Sequence, residues 1–348
     1  MVKLSICIPT YNRADFIVET LETILPQLTP DVELLILDGA SPDETEAVVR
    51  GCVGDHPQVR YHREPAKDGP DADFDKTVEQ SRGEYCWLFP DDDLMMPGAV
   101  ARVLSVLDEK PQLIVVDGEV QDLTLSMTLR PRRMNFSGIR RYGPDDADAL
   151  MADTAGVLSF LGAAIVRRDL WLSRDRKSYY GCYFLHVGVI FQRPPTSAIA
   201  IGEPLVRIRY GNSLWTPKRF EIWGFSWPDL IQGFGGYSAE AKSKAGGDYP
   251  WRKFKHLMSF RARGAFSLNE YRTYFAQRRV GPWRAMLLLA ALIPGRAAHA
   301  LGTAFFLLRG QIHSDSAYEL IRSSPYSNAL SRLLASGAKW KSLPATAR

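Results

Sequence analysis

Histidine and cysteine are scarce in this 348-residue chain, at six and four residues respectively. Cys7, Cys52, Cys86 and Cys182 lie far apart and form no CxxC pair. That argues against structural zinc and a disulfide framework, and it fits a reducing setting. No GxGxxG follows the first apolar run and no GxxxxGK(S/T) occurs anywhere, so the usual dinucleotide and P-loop phosphate cradles are missing. No apolar run reaches the roughly 20 residues that span a bilayer. Only Met1-Val2-Lys3 precede the first strand-like run, too few for a secretory signal. Acidic residues are nearly lacking at the C-terminal end. Residues 251–348 hold 16 Lys/Arg against 3 Asp/Glu, whereas residues 1–250 hold 27 against 36. The net charge of +4 therefore hides a basic segment that calls for an anionic partner, a membrane surface or a nucleic acid.

What is present is an alternation of strands and helices. Leu4–Ile8 is a short apolar run ended by Pro9-Thr10-Tyr11-Asn12-Arg13, and Phe16, Ile17, Leu21, Ile24, Leu25 and Leu28 then recur at helical spacing. Val32–Leu37 reads as a second strand ending in Asp38-Gly39. Ser41-Pro42-Asp43-Glu44 reads as a helix start, with Ser41 as N-cap and Glu44 in the capping-box position. A third strand over Val59–His62 and a helix over Phe74–Ser81 come next. The aromatic-rich strand Tyr85–Phe89 stops at Pro90, and Asp91-Asp92-Asp93 follow. A helix over Ala99–Leu107 and a strand over Leu113–Asp117 complete the pattern. It predicts an α/β fold, a mostly parallel sheet with helices on both faces. Pro9, Asp38 and Asp91–Asp93 would share the C-terminal edge of that sheet, where open α/β sheets bind ligands. Three adjacent carboxylates repel one another unless they are solvated, as in an acidic turn, or bound to a cation. A hard divalent ion that also takes phosphate oxygens is the economical alternative to the solvated turn.

Pro9-Thr10-Tyr11-Asn12-Arg13, Leu37-Asp38-Gly39-Ala40-Ser41, Gly69, Gly83-Glu84-Tyr85, Asp92-Asp93 and Pro97, in that order, resemble the GT-A domain of family-2 inverting glycosyltransferases. Phe74-Asp75 and Trp87–Asp93 most resemble abequosyltransferase-type O-antigen enzymes. The likeness covers residues 3–117 well and 155–215 loosely. It implies a Rossmann-like sheet and a nucleoside-diphosphate sugar donor, with Mg²⁺ or Mn²⁺ as cofactor. It also implies a nucleotide site formed by Pro9, Thr10, Tyr11, Asn12 and Arg13, largely through backbone groups, with Asp38 hydrogen-bonded to the base. Asp75 and either Asp71 or Asp73 would contact the donor, although carboxylates at a helix N-terminus are also favoured for the dipole alone. Pro90 stands where the family carries the first Asp of its acidic motif. Asp92 is then the best metal ligand, with Asp93 or Asp91 assisting at the diphosphate.

The acceptor half is less explicit. Gly156–Arg168 resembles the small-residue strand that lines the family's acceptor pocket, and it reads equally as a tight core strand. The family's base position falls in Tyr183–Val189, which has no carboxylate. His186 is the candidate base there, against the plainer reading of a buried core histidine; Asp153 and Asp169 are weaker candidates. Leu205–Trp215 resembles the segment that closes over the donor diphosphate. Its Arg207 and Arg209 share one side of a strand and could both face the phosphates, or form a surface pair. These readings divide the chain into a GT-A domain over 1–215 (nucleotide half 1–117, acceptor half 118–215), an aromatic and Gly-rich connection over 216–250, and a basic helical region over 251–348. Within the last, Ala285–Ile293 and Ala297–Leu308 are apolar runs separated by Pro-Gly-Arg and flanked by Arg278, Arg279, Arg284, Arg296 and Arg309. They suggest two amphipathic membrane-interface helices across 278–309, or else a buried hairpin or dimer interface. No nucleic-acid-reading motif accompanies them, and nothing in the sequence fixes an oligomeric state. The expected protein is a metal-dependent glycosyltransferase acting on a lipid-linked saccharide at the cytoplasmic face of the inner membrane. The alternatives are a non-catalytic sugar-nucleotide-binding or membrane scaffold protein and a sugar nucleotidyltransferase.

Overall fold

A computed structural model describes residues 2–212, 218–312 and 314–337. The chain divides into two compact units. The first comprises residues 1–119, 131–209 and 230–247, and the second comprises residues 120–130, 210–229 and 248–348. The expected connection over 216–250 is therefore split between units. Ser213, Leu214 and Trp215, at the end of the expected donor-closing segment, lie outside the described residues, as does 338–348.

The sheet holds β1 (Leu4–Thr10), β2 (Val32–Asp38), β3 (Val59–Arg63), β4 (Tyr85–Leu88), β5 (Leu94–Met95), β6 (Leu113–Gln121), β7 (Thr128–Arg130), β8 (Ile139–Tyr142), β9 (Ala164–Arg167) and β10 (Ala198–Arg209). Its order is β3-β2-β1-β4-β9-β6-β10-β5, with β7 on β6 and β8 on β10. The strands β3, β2, β1 and β4 pair in parallel. β9 pairs antiparallel with β4 and β6, and β5 and β8 pair antiparallel with β10, so the sheet is mixed. β6 and β10 are joined in the same sense, by Gln112 N–H to the Ser197 carbonyl at one end and Tyr210 N–H to the Gln121 carbonyl at the other. Every residue of β1, β2 and β4 is buried. That is the pattern of strands covered on both faces, and it explains why they read as continuous apolar runs. Gly83 belongs to this packing: its N–H donates to Ser5 Oγ at 2.8 Å, and a Cβ there would lie 2.5 Å from the same oxygen.

The helices of this unit include α1 (Ile17–Ile24), α2 (Thr45–Val53), α3 (Pro70–Gln80), α4 (Ala99–Leu104), α5 (Ala147–Leu158), α6 (Arg168–Leu172) and α7 (Leu185–Phe191). Two expectations are corrected here. Helix α2 starts at Thr45, not at Ser41, because the Ser41 hydroxyl accepts from the Asn12 N–H at 2.9 Å instead of capping a helix. Gly156–Leu158 belong to α5, and the strand begins only at Ala164. The close approach expected of the small residues is made to protein: Trp87 Nε1 donates to the Gly162 carbonyl at 2.8 Å. A Cβ at Gly162 would meet Phe160 and, at 3.0 Å, Pro90.

The second unit is built on an aromatic cluster of Phe220, Phe225, Trp251, Phe266 and Phe275, with Leu257, Leu287, Ala290 and Ala291 packed against it. Two of its helices, Trp283–Leu292 and Gly295–Leu308, meet at 95°. Among the described residues no single helix is long and apolar enough to cross a membrane, and this pair passes the test of length and composition only as a bent unit. The pair buries Leu287, Ala290, Ala291, Ala298, His299 and Thr303. The opposite face exposes Leu288, Leu289 (57%), Leu292 (58%), Leu301 (67%), Phe305 and Leu308 (89%). Arg284, Arg296 and Arg309 stand exposed at the ends of the helices.

Candidate active site

Parallel pairing places Thr10 opposite Asp38 and Cys7 opposite Leu88. The turn after β1, the loop after β2 and the Asp91–Asp93 turn after β4 therefore share one edge, as the sequence requires. How each acidic residue is used there differs from one position to the next.

The turn after β1 is held by side chains from the loop after β2. Arg13 N–H donates to Thr45 Oγ1 at 3.0 Å and Ala14 N–H to Asp43 Oδ2 at 3.1 Å, alongside the Asn12–Ser41 bond. The N–H groups of Asn12 and Arg13, expected to bind a nucleotide, are thus already occupied. Pro9 and Thr10 are buried in β1. Tyr11 remains half-buried, with Lys67 Nζ 3.6 Å from its ring centroid. Asn12 and Ala40 adopt positive φ, 58° and 65°. Asn tolerates this conformation, whereas Ala pays for it by roughly 1–2 kcal/mol; strain of this kind persists where surrounding bonds hold it.

Asp38 is fully buried, and both of its oxygens are engaged. Oδ1 accepts from Ser41 N–H at 2.7 Å, and Oδ2 accepts from Tyr61 Oη at 2.6 Å and Arg63 at 3.0 Å. These bonds organise the loop, and they leave about one of the carboxylate's four acceptor positions for the base contact expected of Asp38. Asp75 is likewise consumed. Its Oδ1 accepts from Trp171 Nε1 at 2.8 Å and Arg176 at 2.9 Å, and its Oδ2 from Tyr180 Oη at 2.8 Å. One turn earlier on α3, Asp71 Oδ2 accepts from the Gly181 N–H at 2.7 Å. Together these two carboxylates strap residues 176–181 onto α3, a role the donor-contact reading had not anticipated.

The Asp91–Asp93 turn divides its three carboxylates. Asp91 Oδ1 lies 3.3 Å from Arg13 Nε, and Asp92 Oδ2 lies 3.7 Å from the same guanidinium. Asp93 is buried, and its Oδ1 accepts from the Arg209 N–H at 2.7 Å. Burial, and then the charge of Asp92, push the Asp91 carboxyl up to about 7; the same causes raise Asp93. Arg209 donates from Nε to the Asp92 carbonyl at 3.0 Å and also pairs with Glu19. It braces the turn from within the fold, so the expectation that it faces phosphates is corrected. Arg207 is half-exposed beside Glu119, at 3.8 Å.

The donor set can be judged for a metal on these contacts. Among the described residues no group of three or more His, Cys, Asp or Glu is placed to hold an ion, and Asp93, expected as a metal ligand, has one carboxylate oxygen turned to backbone. Asp92 with Asp91 offers hard oxygen ligands, a set that fits a divalent cation whose remaining positions come from a substrate's phosphates and water.

His186 does not present a base. It lies in α7, all of whose residues are buried, and its Nε2 bonds to the Leu158 carbonyl at 2.6 Å. A carbonyl only accepts, so Nε2 must carry a proton. Burial lowers the ring's affinity for a second proton to about 4. Asp153 accepts from Arg140 and from Tyr142 Oη, each at 2.8 Å, and Asp169 pairs with Arg167 at 2.6 Å.

Sequence reasoning missed several residues that shape this edge. Thr45, Tyr61, Arg63 and Glu19 gave no signal, because each is defined by a partner distant in sequence. Asp43, read only as part of a helix start, also accepts from Thr45 N–H and Oγ1.

Residues 5–158 match the family described as "Glycosyl transferase family 2". The chain is 29% identical over 229 residues to the abequosyltransferase RfbV of Salmonella typhimurium, covering 62% of this chain and 69% of that protein. It is 29% identical over 110 residues to a Campylobacter jejuni GalNAc(5)-diNAcBac-PP-undecaprenol beta-1,3-glucosyltransferase, covering 31% of this chain and 36% of that one. In structure it is similar to Staphylococcus aureus TarS 1-349 in complex with UDP, with a TM-score of 0.57 and 14% identity over 91% of this chain and 89% of that one. It is also similar to a Pyrobaculum calidifontis mannosyltransferase in complex with GDP-Man and Mn²⁺, with a TM-score of 0.55 and 18% identity over 92% and 85%. At such identities these structures establish the GT-A fold alone.

Proposed function

The chain is a glycosyltransferase with a family-2 domain over residues 5–158, and from that premise we propose that it transfers a sugar, with inversion, from a nucleoside-diphosphate sugar to a hydroxyl of a polyprenyl-diphosphate-linked saccharide. The observation that carries this reading is the meeting of Asp91, Asp92 and Arg13 at the ends of the parallel strands. It is a place where a diphosphate finds a guanidinium and two carboxylates that can share a cation with it. The acceptor oxygen attacks the anomeric carbon as the bond to the diphosphate breaks, and the diphosphate leaves with the electron pair. Arg13 is placed to offset the charge that develops there, and Arg209 and Asp93 hold the turn that positions Asp92. Mg²⁺ or Mn²⁺ held by Asp92, with Asp91 beside it, would act as a Lewis acid on the departing diphosphate. The acceptor's proton passes to a base; His186 is poorly suited to that role, because its Nε2 is bonded to the Leu158 carbonyl and burial lowers the ring's affinity for a proton.

The lipid-linked acceptor and a peripheral position on the cytoplasmic face of the inner membrane are supported by the bent helix pair. Its outward face is apolar and its ends carry arginine, which suits an anionic leaflet. A surface-assembled polysaccharide, O-antigen included, fits the relatives named above. To test the activity, the protein is incubated with a panel of nucleotide sugars and Mn²⁺ or Mg²⁺, and nucleotide release is followed with and without polyprenyl-linked acceptors. Release that needs both the metal and the acceptor is expected; binding without any release would leave a sugar-nucleotide-binding scaffold. Flotation with anionic liposomes tests the surface. Leu289→Gln, Leu292→Gln, Leu301→Gln and Leu308→Gln together should abolish co-flotation, and unchanged flotation would remove the membrane from the reading.

A further inference from the structure

In the second unit, Arg219 and Arg263 share Glu319, at 2.7 and 3.0 Å, and Lys253 pairs with Asp248 at 3.1 Å. Arg252 and Arg278 are placed differently. Among the described residues neither pairs with a carboxylate, and both lie over a row of aromatic rings. The row runs from Tyr249 through Trp251 to Phe225, with centroids 5.5 and 6.2 Å apart. The Arg252 guanidinium is 4.7 Å from the Tyr249 centroid and 5.2 Å from that of Trp251, and the Arg278 guanidinium is 4.6 Å from that of Phe225. Both side chains are exposed. The Tyr249 hydroxyl donates to Asp229 at 2.6 Å; that bond and burial raise its pKa, and Arg252 and Arg278 both oppose the rise. The two charges therefore bear on one place. A guanidinium lying over a ring face is held without spending its N–H donors, which stay available to an oxyanion, and side chains held beforehand lose less entropy on binding. The chain then enters the helix Trp283–Leu292, where Arg284 Nη2 donates back to the Arg278 carbonyl at 3.0 Å. Arg284, Leu288 and Leu292 recur at every fourth position and so form one row along that helix, and both leucines are exposed. Positive charge thus stands at one end of an apolar track, which suits an amphiphile with an anionic head and a hydrocarbon tail.

We propose that this part of the second unit holds the lipid end of the acceptor: Arg252 and Arg278 bind the diphosphate of a polyprenyl diphosphate, and the prenyl chain runs from Arg284 along Leu288 and Leu292. The assignment rests on the reading of the acceptor as a polyprenyl-diphosphate-linked saccharide. It separates a site for one headgroup from the general attraction of the bent helix pair to an anionic leaflet. A diphosphate concentrates more charge than the single phosphodiester of a phospholipid, and two planar guanidinia can each take a pair of its oxygens. Lys255 and Arg309, 5.7 and 5.1 Å from the centroid of the Phe305 ring, serve the general attraction instead.

Co-flotation of the full chain with phosphatidylcholine vesicles carrying either undecaprenyl diphosphate or phosphatidylglycerol, at matched surface charge, tests the site. Wild type should prefer the diphosphate vesicles. Arg252→Gln/Arg278→Gln and Lys255→Gln/Arg309→Gln remove the same charge and should weaken phosphatidylglycerol binding alike. Only the first pair should lower the preference for diphosphate, by ~10-fold or more. Arg252→Lys/Arg278→Lys keeps the charge, so it should float with phosphatidylglycerol as wild type does, which excludes a folding defect, and still lose most of the preference. A wild type without the preference overturns the assignment. So does a preference that survives in Arg252→Gln/Arg278→Gln or in the lysine variant, or one that Lys255→Gln/Arg309→Gln lowers equally. Sugar transfer to a polyprenyl-linked saccharide by a wild type that lacks the preference would strike this site and leave the proposed function standing. Transfer only to saccharides free of lipid would strike the lipid-linked acceptor, and this site with it.

Discussion

Two groups of carboxylates share the C-terminal edge of the sheet and its flanking helix, and they are treated in opposite ways. Asp38 and Asp75 each accept three hydrogen bonds, from tyrosine, arginine, tryptophan or backbone donors. Asp91, Asp92 and Asp73 are crowded by like charge as well: burial and then Asp92 raise Asp91, and burial followed by Asp68, Glu64 and Asp38 raises Asp73. Residue type and position in the motif are alike in both groups. What separates them is the balance of donors and like charge: Asp91 and Asp92 lie against each other and face the one guanidinium of Arg13. On the reading proposed above, a saturated carboxylate holds architecture, while a crowded one is where a cation or a substrate would add stability.

The sharpest way to break this division is Asp92→Asn. It should reduce sugar transfer by ~10²–10³-fold while leaving the melting temperature within a degree or two of wild type. A large loss of stability would move Asp92 into the architectural group. Asp38→Ala should behave in the reverse sense, costing ~2–4 kcal/mol in urea denaturation because Arg63 and Tyr61 lose a buried partner. If it were as stable as wild type and only nucleotide affinity fell, the base contact expected of Asp38 would be its main role.

Asp73 gives a pH-dependent test. Burial lifts its carboxyl to about 6, above the ordinary value in the unfolded chain, so the folded protein keeps this proton to higher pH. Stability from that proton is present below the unfolded value, falls as pH rises through about 6, and stays lost above it. Asp73→Asn should therefore be more stable than wild type by ~1–2 kcal/mol at pH 8, with the advantage vanishing near pH 4. An advantage that does not change with pH would show that charge is not its source. The smallest effect belongs to His186. His186→Asn should cost ~1 kcal/mol of stability through the lost bond to Leu158, leave kcat within ~3-fold and leave the pH profile of transfer unmoved. Loss of an ionisation from that profile would make the histidine catalytic after all.

Much of the fold was legible because burial on both faces leaves a plain mark. The runs of β1, β2 and β4 are apolar throughout, and the residues that end them are Pro9, Asp38 and Pro90. The half beyond β4 was legible only in part, through the strand at Leu113 and the one carrying Arg207 and Arg209. Gly156–Leu158 could be strand or helix by composition, and only packing around Thr154 and Ala155 makes them the end of α5. At the site, the sequence located the edge and the acidic turn, but not the contacts that each residue makes there. Ser41 reads as an N-cap until the Asn12 N–H is seen to reach it first. Arg207 and Arg209 do alternate onto one side of β10, yet one is half-exposed and the other buried under the Asp turn. Such outcomes depend on partners that are distant in sequence, and no local pattern encodes them.

The right-angled helix pair of the second unit has a mechanical consequence. A single amphipathic rod lying on a surface can roll about its long axis, so it attaches a protein without fixing its attitude. Two rods joined at 95° cannot roll together, since rotation about one axis lifts the other out of the interface. Pro294 and Gly295, at that corner, thus do more than interrupt an apolar run. On a membrane that received both helices, as proposed above, they would remove a rotational freedom, and that surface would define a plane for the unit that carries them. Glycine at 295 is required by contact as well: a Cβ there would meet the Tyr326 ring at 2.0 Å. The backbone at that corner is therefore packed directly against an aromatic ring of the same unit.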